Sequence, residues 1–226
     1  MNNTFKKVSV VIRTKNEDRW IGHCIQSVLD HLDTPEILVI DNNSTDRTFE
    51  IARQFQHDTE ISHDGNYTDL RILNINDYSP GRSLNLGAKE AQNENLLIIS
   101  SHCILKKFDL NKHLKDLETY SAVFGNQIPI YEGKKITKRY LWKHFENKEI
   151  VDMYSEMEGR YFFHNALSFF KTKTLLDYPF NEQLVGKEDR YWAAKIISKS
   201  LKILYDPSME VDHQYTSNGN TWKGIG

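Results

Sequence analysis

The side chains best suited to binding a polar ligand lie in three short polar segments, Arg13–Asp18, Asp41–Asp46 and Ser100–Cys103, each directly after an apolar run. Carboxylates in such segments accept hydrogen bonds from ring N–H groups and sugar hydroxyls. Imidazole binds Mn²⁺, Zn²⁺ and similar ions, whereas Mg²⁺ prefers oxygen ligands. A fourth polar segment, Glu188-Asp189, stands where a helix is predicted to begin. Two carboxylates there fit either a general base or an acidic first turn favoured by the helix dipole.

The apolar periodicity predicts strands and helices that alternate through the first half of the chain. Residues 7–12, 36–40 and 95–99 are mainly apolar and rich in Val, Ile and Leu, as expected of strands buried on both faces. The remaining predicted strands are 69–74, 122–130, 162–170, 202–205 and 211–215, and the predicted helices are 21–32, 47–55, 82–91, 110–120 and 188–200.

Alternating strands and helices imply right-handed crossovers and a mainly parallel sheet covered on both faces, so the predicted fold class is α/β. Ligands of such sheets bind beyond the carboxyl ends of the strands, where the three polar segments would converge on one crevice. We expect one domain over residues 1–226, with a nucleotide-binding half at about 1–105 and an acceptor-binding half at about 106–226. Residues 131–160 lack a clean period and are predicted to form a flexible lobe.

Composition narrows the function classes. The chain has 226 residues with 39% hydrophobic residues and a formal net charge of −2, which argues against a general nucleic-acid binder. No apolar run approaches the roughly 18–20 residues that cross a bilayer. With no secretory signal pattern and only Cys24 and Cys103 as cysteines, a cytoplasmic location is the simpler expectation.

Two of these segments carry a family resemblance. The sequence VSVVIRTKNED, followed by EILVIDNNSTDRT, resembles the first two strands and loops of the inverting family 2 glycosyltransferases. The resemblance implies a GT-A-like three-layer α/β/α sandwich with a mainly parallel, mixed sheet. It also implies a nucleotide site in which Thr14, Asn16 and Glu17 hold the donor from the first loop and Asp41 accepts hydrogen bonds from its base or ribose.

The segment SPGRSLNLGAKEA matches the next feature of the family, a glycine- and asparagine-bearing helix before the fourth strand. Arg82 near its start is predicted to contact the donor diphosphate, because guanidinium is well shaped for phosphate; a solvated first-turn arginine is the alternative.

The fourth strand departs from the family pattern. Most members end it in Asp-x-Asp, whose last carboxylate holds a divalent metal, but here Ser100-Ser101-His102 follows the strand. This resembles the Asp-Ser-His variant of polypeptide N-acetylgalactosaminyltransferases, in which the histidine is a metal ligand. We therefore assign Ser100 and Ser101 to the donor site, and His102 and His213 to a divalent metal, Mn²⁺ or Mg²⁺. The alternative is a direct hydrogen bond from His102 to the diphosphate without a metal.

Glu188-Asp189 resembles the Glu-Asp motif beside the acceptor site of the family. The match implies that Asp189 is the general base, with Glu188 as its neighbour or substitute. Gln127, Asn165 and Trp192 are weaker candidates for contacts with the acceptor or donor sugar.

The predicted function is transfer of a sugar from a nucleotide-sugar donor to a hydroxyl, with inversion, to a surface polysaccharide or glycolipid acceptor. The expected partners are this donor and a glycan or lipid-linked acceptor, without nucleic acid. The expected location is the cytoplasm. For a membrane-linked acceptor, a peripheral assembly would hold the protein at the cytoplasmic face of the membrane. Two alternatives stay open, a nucleotidyltransferase of similar fold and a non-catalytic binding module. The nucleotidyltransferase would need a glycine-rich loop after the first strand, and that loop is missing.

Overall fold

Apolar runs form the centre of one large sheet in the computed structural model, which describes residues 8–56, 69–217, 219 and 222. Lys7, predicted to open the first strand, and both ends of the predicted domain lie outside these residues. The strands are β1 (Val8–Thr14), β2 (Glu36–Asp41), β3 (Asp69–Asn74), β4 (Asn95–Ser100), β5 (Cys103–Lys107), β6 (Ala122–Tyr131), β7 (Lys134–Lys135), β8 (Ile150–Val151), β9 (Tyr154–Ser155), β10 (Arg160–Tyr161), β11 (Leu167–Lys171) and β12 (Ile203–Gln214).

The sheet has the main strand order β3-β2-β1-β4-β11-β6-β12-β5, with β7 beside β6 and β8 beside β12. Along this path β3, β2, β1, β4, β6 and β12 share one direction, and β11 and β5 run the opposite way. The carboxyl ends of the first group therefore meet the beginnings of β5 and β11 at a single edge. Strands β9 and β10 form a separate hairpin.

Helices cover both faces of the sheet: α1 (Ile21–Leu29), α2 (Thr48–Arg53), α3 (Pro80–Glu90), α4 (Leu110–Asp116), α5 (Thr172–Asp177) and α6 (Glu188–Ser198). Because side chains alternate along a strand, Val10 and Ile12 of β1 face the core that includes α1 and α2, while Val11 faces the core that includes α3, α5 and α6. The predicted three-layer α/β/α architecture with a mainly parallel, mixed sheet is thereby confirmed.

The strands predicted at 162–170, 202–205 and 211–215 need correction. The strands predicted at 202–205 and 211–215 form one strand, β12, whose two parts are joined by a bulge between Asp206 and Glu210. In that bulge the Asp206 carboxylate accepts hydrogen bonds from the backbone N–H and hydroxyl of Ser208. The strand predicted at 162–170 forms only from Leu167, and neither β5 nor α5 was predicted.

The predicted lobe at 131–160 carries β7 to β9, the start of β10 and a short 3₁₀ helix at Tyr140–His144. Trp142 and Phe145 from this segment are buried in the core on the α6 side, and the flexibility of the segment stays a prediction. Within the described ranges, no helix has both the length and the apolar character required to span a bilayer.

Candidate functional site

An open cavity of about 830 Å³ lies at the edge where the strand ends meet. The end of β1, the loop after β4 and the segment before β11 form its floor and walls, and the first turn of α6 closes one side. The structure brings to this cavity eight of the residues predicted from the sequence: Thr14, Glu17, Ser100, Ser101, His102, Asn165 and the pair Glu188-Asp189.

The backbone of residues 100–102 is held on three sides. The Ser100 N–H donates to the Ala166 carbonyl before β11 (3.1 Å), and the Ser101 N–H donates to the Arg13 carbonyl of β1 (3.3 Å). The His102 carbonyl accepts from the N–H of Gln214 in β12 (2.9 Å). These bonds fix the chain from which the His102 side chain projects into the cavity.

His102 and His213 meet through their Nε2 atoms, which are 3.0 Å apart. On its other side, the Nδ1 atom of His102 lies 3.2 Å from a Glu17 carboxylate oxygen. His213 is fully buried, with the Trp142 ring packed edge-on against it at 4.9 Å between centroids. Burial, and then the neighbouring histidines, lower the pKa of His213 well below its usual value, so His213 is neutral near pH 7.

These two residues fit a divalent ion. Two imidazole nitrogens 3.0 Å apart can both lie within the roughly 2.0–2.1 Å that a nitrogen ligand keeps from such an ion. The Cys103 thiol also lies near both rings. However, burial raises the pKa of that thiol well above its usual value, so without an ion it stays protonated and is a poor ligand.

The carboxylate pair opens α6. Lys187 precedes it in the left-handed conformation (φ 59°), and a carboxylate oxygen of Glu188 lies 3.3 Å from the Arg13 guanidinium. Burial and the adjacent charge of Asp189 raise the pKa of Glu188, and Arg13 only partly opposes them. This environment favours a proton on Glu188.

Asp189 is held by the residue that follows it. One carboxylate oxygen accepts from the Arg190 backbone N–H and the other from its guanidinium, both at 2.8 Å. The same guanidinium donates to the Phe163 carbonyl (2.9 Å) and lies 3.3 Å from Glu158. Asp189 is therefore a fixed carboxylate on the cavity wall.

Two predicted donor ligands brace loops instead of lining the cavity. The Asn16 side-chain oxygen accepts from the Thr45 N–H at 2.8 Å. The Asp41 carboxylate accepts from the backbone N–H and the hydroxyl of Ser44. Asn16 thereby holds the loop after β1 against the loop after β2, whereas Asp41 braces the loop after β2 internally. The base or ribose contact of Asp41 stays a prediction.

Three other predictions are corrected by the placement of the side chains. Arg82 is paired with Asp77 and Glu182 outside the cavity, so it does not face a diphosphate there. Trp192 is buried, and its indole N–H donates to the Tyr178 carbonyl at 2.7 Å. Gln127 is fully buried between two histidines, which leaves it no free surface for a sugar.

The structure also places unpredicted cations at the cavity. Arg13 lies near the end of β1, where a charged residue directly after an apolar run was a usable signal. The side chains of Lys15 and Lys187 line the cavity without a hydrogen-bond or ion-pair partner among the described residues. Since the other two cations, Arg13 and Arg190, face carboxylates, the two lysines are the uncompensated positive charge of the site.

The doubly covered mixed sheet, with its cavity at the strand ends, has the GT-A class of fold. Solved structures of that class are similar to this chain. One is Staphylococcus aureus TarS 1–349 in complex with UDP-GlcNAc, with TM-score 0.71, 18% identity, and coverage of 96% of this chain and 61% of that chain. Another is GalNAc-T7 with UDP, GalNAc and Mn²⁺, with TM-score 0.69, 14% identity, and coverage of 96% and 45%.

Sequence similarity gives the family. Residues 9–178 match Glycosyl transferase family 2, and the chain belongs to this family. It is 28% identical to the GalNAc(5)-diNAcBac-PP-undecaprenol beta-1,3-glucosyltransferase of Campylobacter jejuni, over 87% of this chain and 62% of that protein. It is 24% identical to the S. aureus poly(ribitol-phosphate) beta-N-acetylglucosaminyltransferase TarS, over 84% of this chain and 32% of that protein. The chain thus spans less than two thirds of either relative.

Proposed function

We propose that this chain transfers a sugar from a nucleoside-diphosphate donor to an acceptor hydroxyl, with inversion at the anomeric carbon. The observation that carries the proposal is that one cavity holds a fixed carboxylate, Asp189, together with His102 and uncompensated lysines. Such a cavity offers a base for the acceptor and positive charge for the leaving diphosphate. Membership of the family supports the same reaction.

On this proposal Lys15 and Lys187 attract the diphosphate, and the hydroxyls of Ser100 and Ser101 lie on the cavity floor beneath it. An unpaired ammonium in a partly enclosed site strengthens anion binding, because it loses no existing ion pair when the ligand arrives. We propose a uridine nucleotide, since the TarS structure holds UDP-GlcNAc and the GalNAc-T7 structure holds UDP.

Asp189 is the proposed general base. It takes the acceptor proton as the hydroxyl oxygen bonds to the anomeric carbon and the bond from that carbon to the diphosphate oxygen breaks. Attack from the face opposite the leaving group gives inversion. Base catalysis of this kind contributes about 10²–10⁴-fold, and the hold of Arg190 on Asp189 limits the orientations that the carboxylate samples.

His102 and His213 are the proposed holders of a divalent ion. Such an ion, when bound, stabilises negative charge on a leaving diphosphate. The alternative is that His102 itself donates a hydrogen bond to the diphosphate. The two alternatives differ in their response to chelation, which removes activity only in the first.

The acceptor is proposed to be a lipid-linked or polymeric glycan. The Campylobacter relative is named for an undecaprenyl-linked substrate and TarS for poly(ribitol-phosphate). Such an acceptor would bring the chain to the cytoplasmic face of a membrane.

The test measures slow donor hydrolysis with a panel of UDP-sugars, in Mn²⁺ and then in EDTA, with calorimetry for donor binding. D189N should lower transfer and hydrolysis by about 10²–10⁴-fold while leaving donor affinity nearly unchanged. D177N is the matched control, because Asp177 is an exposed acid that pairs with Lys173. Full activity in D189N would place the base elsewhere. Release of pyrophosphate would favour a nucleotidyltransferase, and no donor binding in either condition would leave a non-catalytic module.

A further inference from the structure

A chain of buried side chains connects the histidine pair to the segment before β11. Gln127, on β6, is fully buried and contacts two histidines. Its side-chain oxygen lies 3.0 Å from His213 Nδ1, and its side-chain nitrogen lies 2.9 Å from His164 Nδ1. The far end of this relay, which we define as Gln127 and His164, reaches the backbone N–H of Ala166.

That backbone N–H fixes the direction of every bond in the relay. The Ala166 amide lies 3.3 Å from His164 Nδ1, and an amide N–H can only donate. His164 Nδ1 is therefore an acceptor, and the proton of the neutral ring is on Nε2. Since Nδ1 cannot donate to Gln127, the amide NH₂ must point to His164 and the amide oxygen to His213.

The orientation of the Gln127 amide determines which ring nitrogen of His213 carries the proton. Its Nδ1 faces an acceptor and must carry the proton, so its Nε2 presents a lone pair. That Nε2 is the atom 3.0 Å from His102 Nε2. A ring in the other tautomer would direct an N–H at His102 and could not bind an ion there.

We propose that Gln127 and His164 are positioning residues that set the tautomer of His213 and hold its Nε2 lone pair toward His102. The use of that lone pair for an ion rests on the proposed function, but the tautomer itself does not. A merely structural role for Gln127 would fill space and satisfy polar groups without selecting which nitrogen of His213 is protonated.

The test uses the full chain, stripped of metal and labelled with ¹⁵N in histidine. Two-bond ¹H–¹⁵N correlation spectra report which ring nitrogen carries the proton. Wild type should show His213 protonated on Nδ1 and His164 protonated on Nε2. The opposite tautomer at either residue would overturn the proposal without any variant being needed.

Variants then test whether Gln127 sets the tautomer of His213. Q127L removes the acceptor at His213 Nδ1, so protonation at Nε2 should appear there, and the Kd for Mn²⁺ should rise about 10–100-fold, as for loss of an outer partner of a metal-binding histidine. H164N is the matched control, because the asparagine oxygen can replace Nδ1 as acceptor and should keep the wild-type tautomer of His213. An unchanged His213 in folded Q127L would refute the relay. Wild type without Mn²⁺ affinity but with the expected tautomers would refute the metal site and leave the relay standing.

Discussion

Replacing Gly87 by alanine tests how closely α3 packs on β1, the strand that ends at the cavity floor. A Cβ atom at residue 87 would lie 2.6 Å from both Cγ atoms of Val11 and 3.2 Å from its Cβ. Val11 is fully buried and β-branched, so it cannot swing aside. Overpacking of this kind costs about 1–3 kcal/mol, whereas alanine in a helix gains about 1 kcal/mol over glycine. We expect G87A to lower the free energy of unfolding by about 0–2 kcal/mol.

The sign should reverse when the obstacle is removed. In a V11A background both Cγ atoms are gone, so G87A should stabilise the protein by up to about 1 kcal/mol through helix propensity alone. Urea unfolding of the four proteins followed by circular dichroism gives the coupling energy, expected at about 1–3 kcal/mol. G133A is the control, because Gly133 has positive φ and no atoms near its missing Cβ. Its cost should be the same in both backgrounds. An equal effect of G87A in both backgrounds would show that Val11 is not the obstacle.

Three further predictions concern charges. Burial first, and then the neighbouring carboxylate of Asp189, raise the pKa of Glu188. The stability that its protonated form contributes is therefore lost as the pH rises from 4.5 through the raised value. Over that range, urea titrations should show the free energy of unfolding of E188Q rising relative to that of wild type. Burial alone would raise the pKa of Asp206, but the hydrogen bonds from Lys112 and Ser208 and the charge of Lys112 together outweigh it, and the pKa is lowered. K112M should therefore cost about 1–3 kcal/mol near pH 7, a penalty that shrinks in denaturation curves below pH 3.8 as Asp206 becomes protonated. K15M and K187M should each weaken UDP binding roughly two- to fivefold at low salt, and calorimetry at high salt should find smaller differences.

The sequence predicts the central strands well because consecutive apolar residues within each strand indicate its burial. Strands β1, β2 and β4 are apolar runs covered on both faces, and only a strand at the centre of a doubly covered sheet needs such a run. By contrast, β5 lies at the sheet edge and ends in two exposed lysines. Its pairing with β12, a hundred residues later in the chain, cannot be inferred from its own composition.

The residues of the candidate site likewise fall into those whose position the sequence predicts and those whose position depends on distant segments. Glu17 and His102 reach the cavity because each directly follows a central strand, and strand order fixes where such a residue lies. The ion pairs that hold Arg82 outside the cavity could not be predicted, because one of its partners, Glu182, comes from a segment a hundred residues away. The burial of Gln127 could not be read from the sequence, because its neighbours come from β12 and from the segment before β11, which turn a residue of sugar-binding type into an internal relay.

The three backbone hydrogen bonds that hold residues 100–102 have a consequence for how this protein can change over time. They involve only N–H and carbonyl groups, so they survive exchange of the side chains at Ser100 and His102. Oxygen donors at these positions would suit Mg²⁺, whereas imidazole suits borderline ions. Ion preference is thus separable from architecture, and a lineage can exchange one cofactor for another by a few substitutions on an unaltered scaffold.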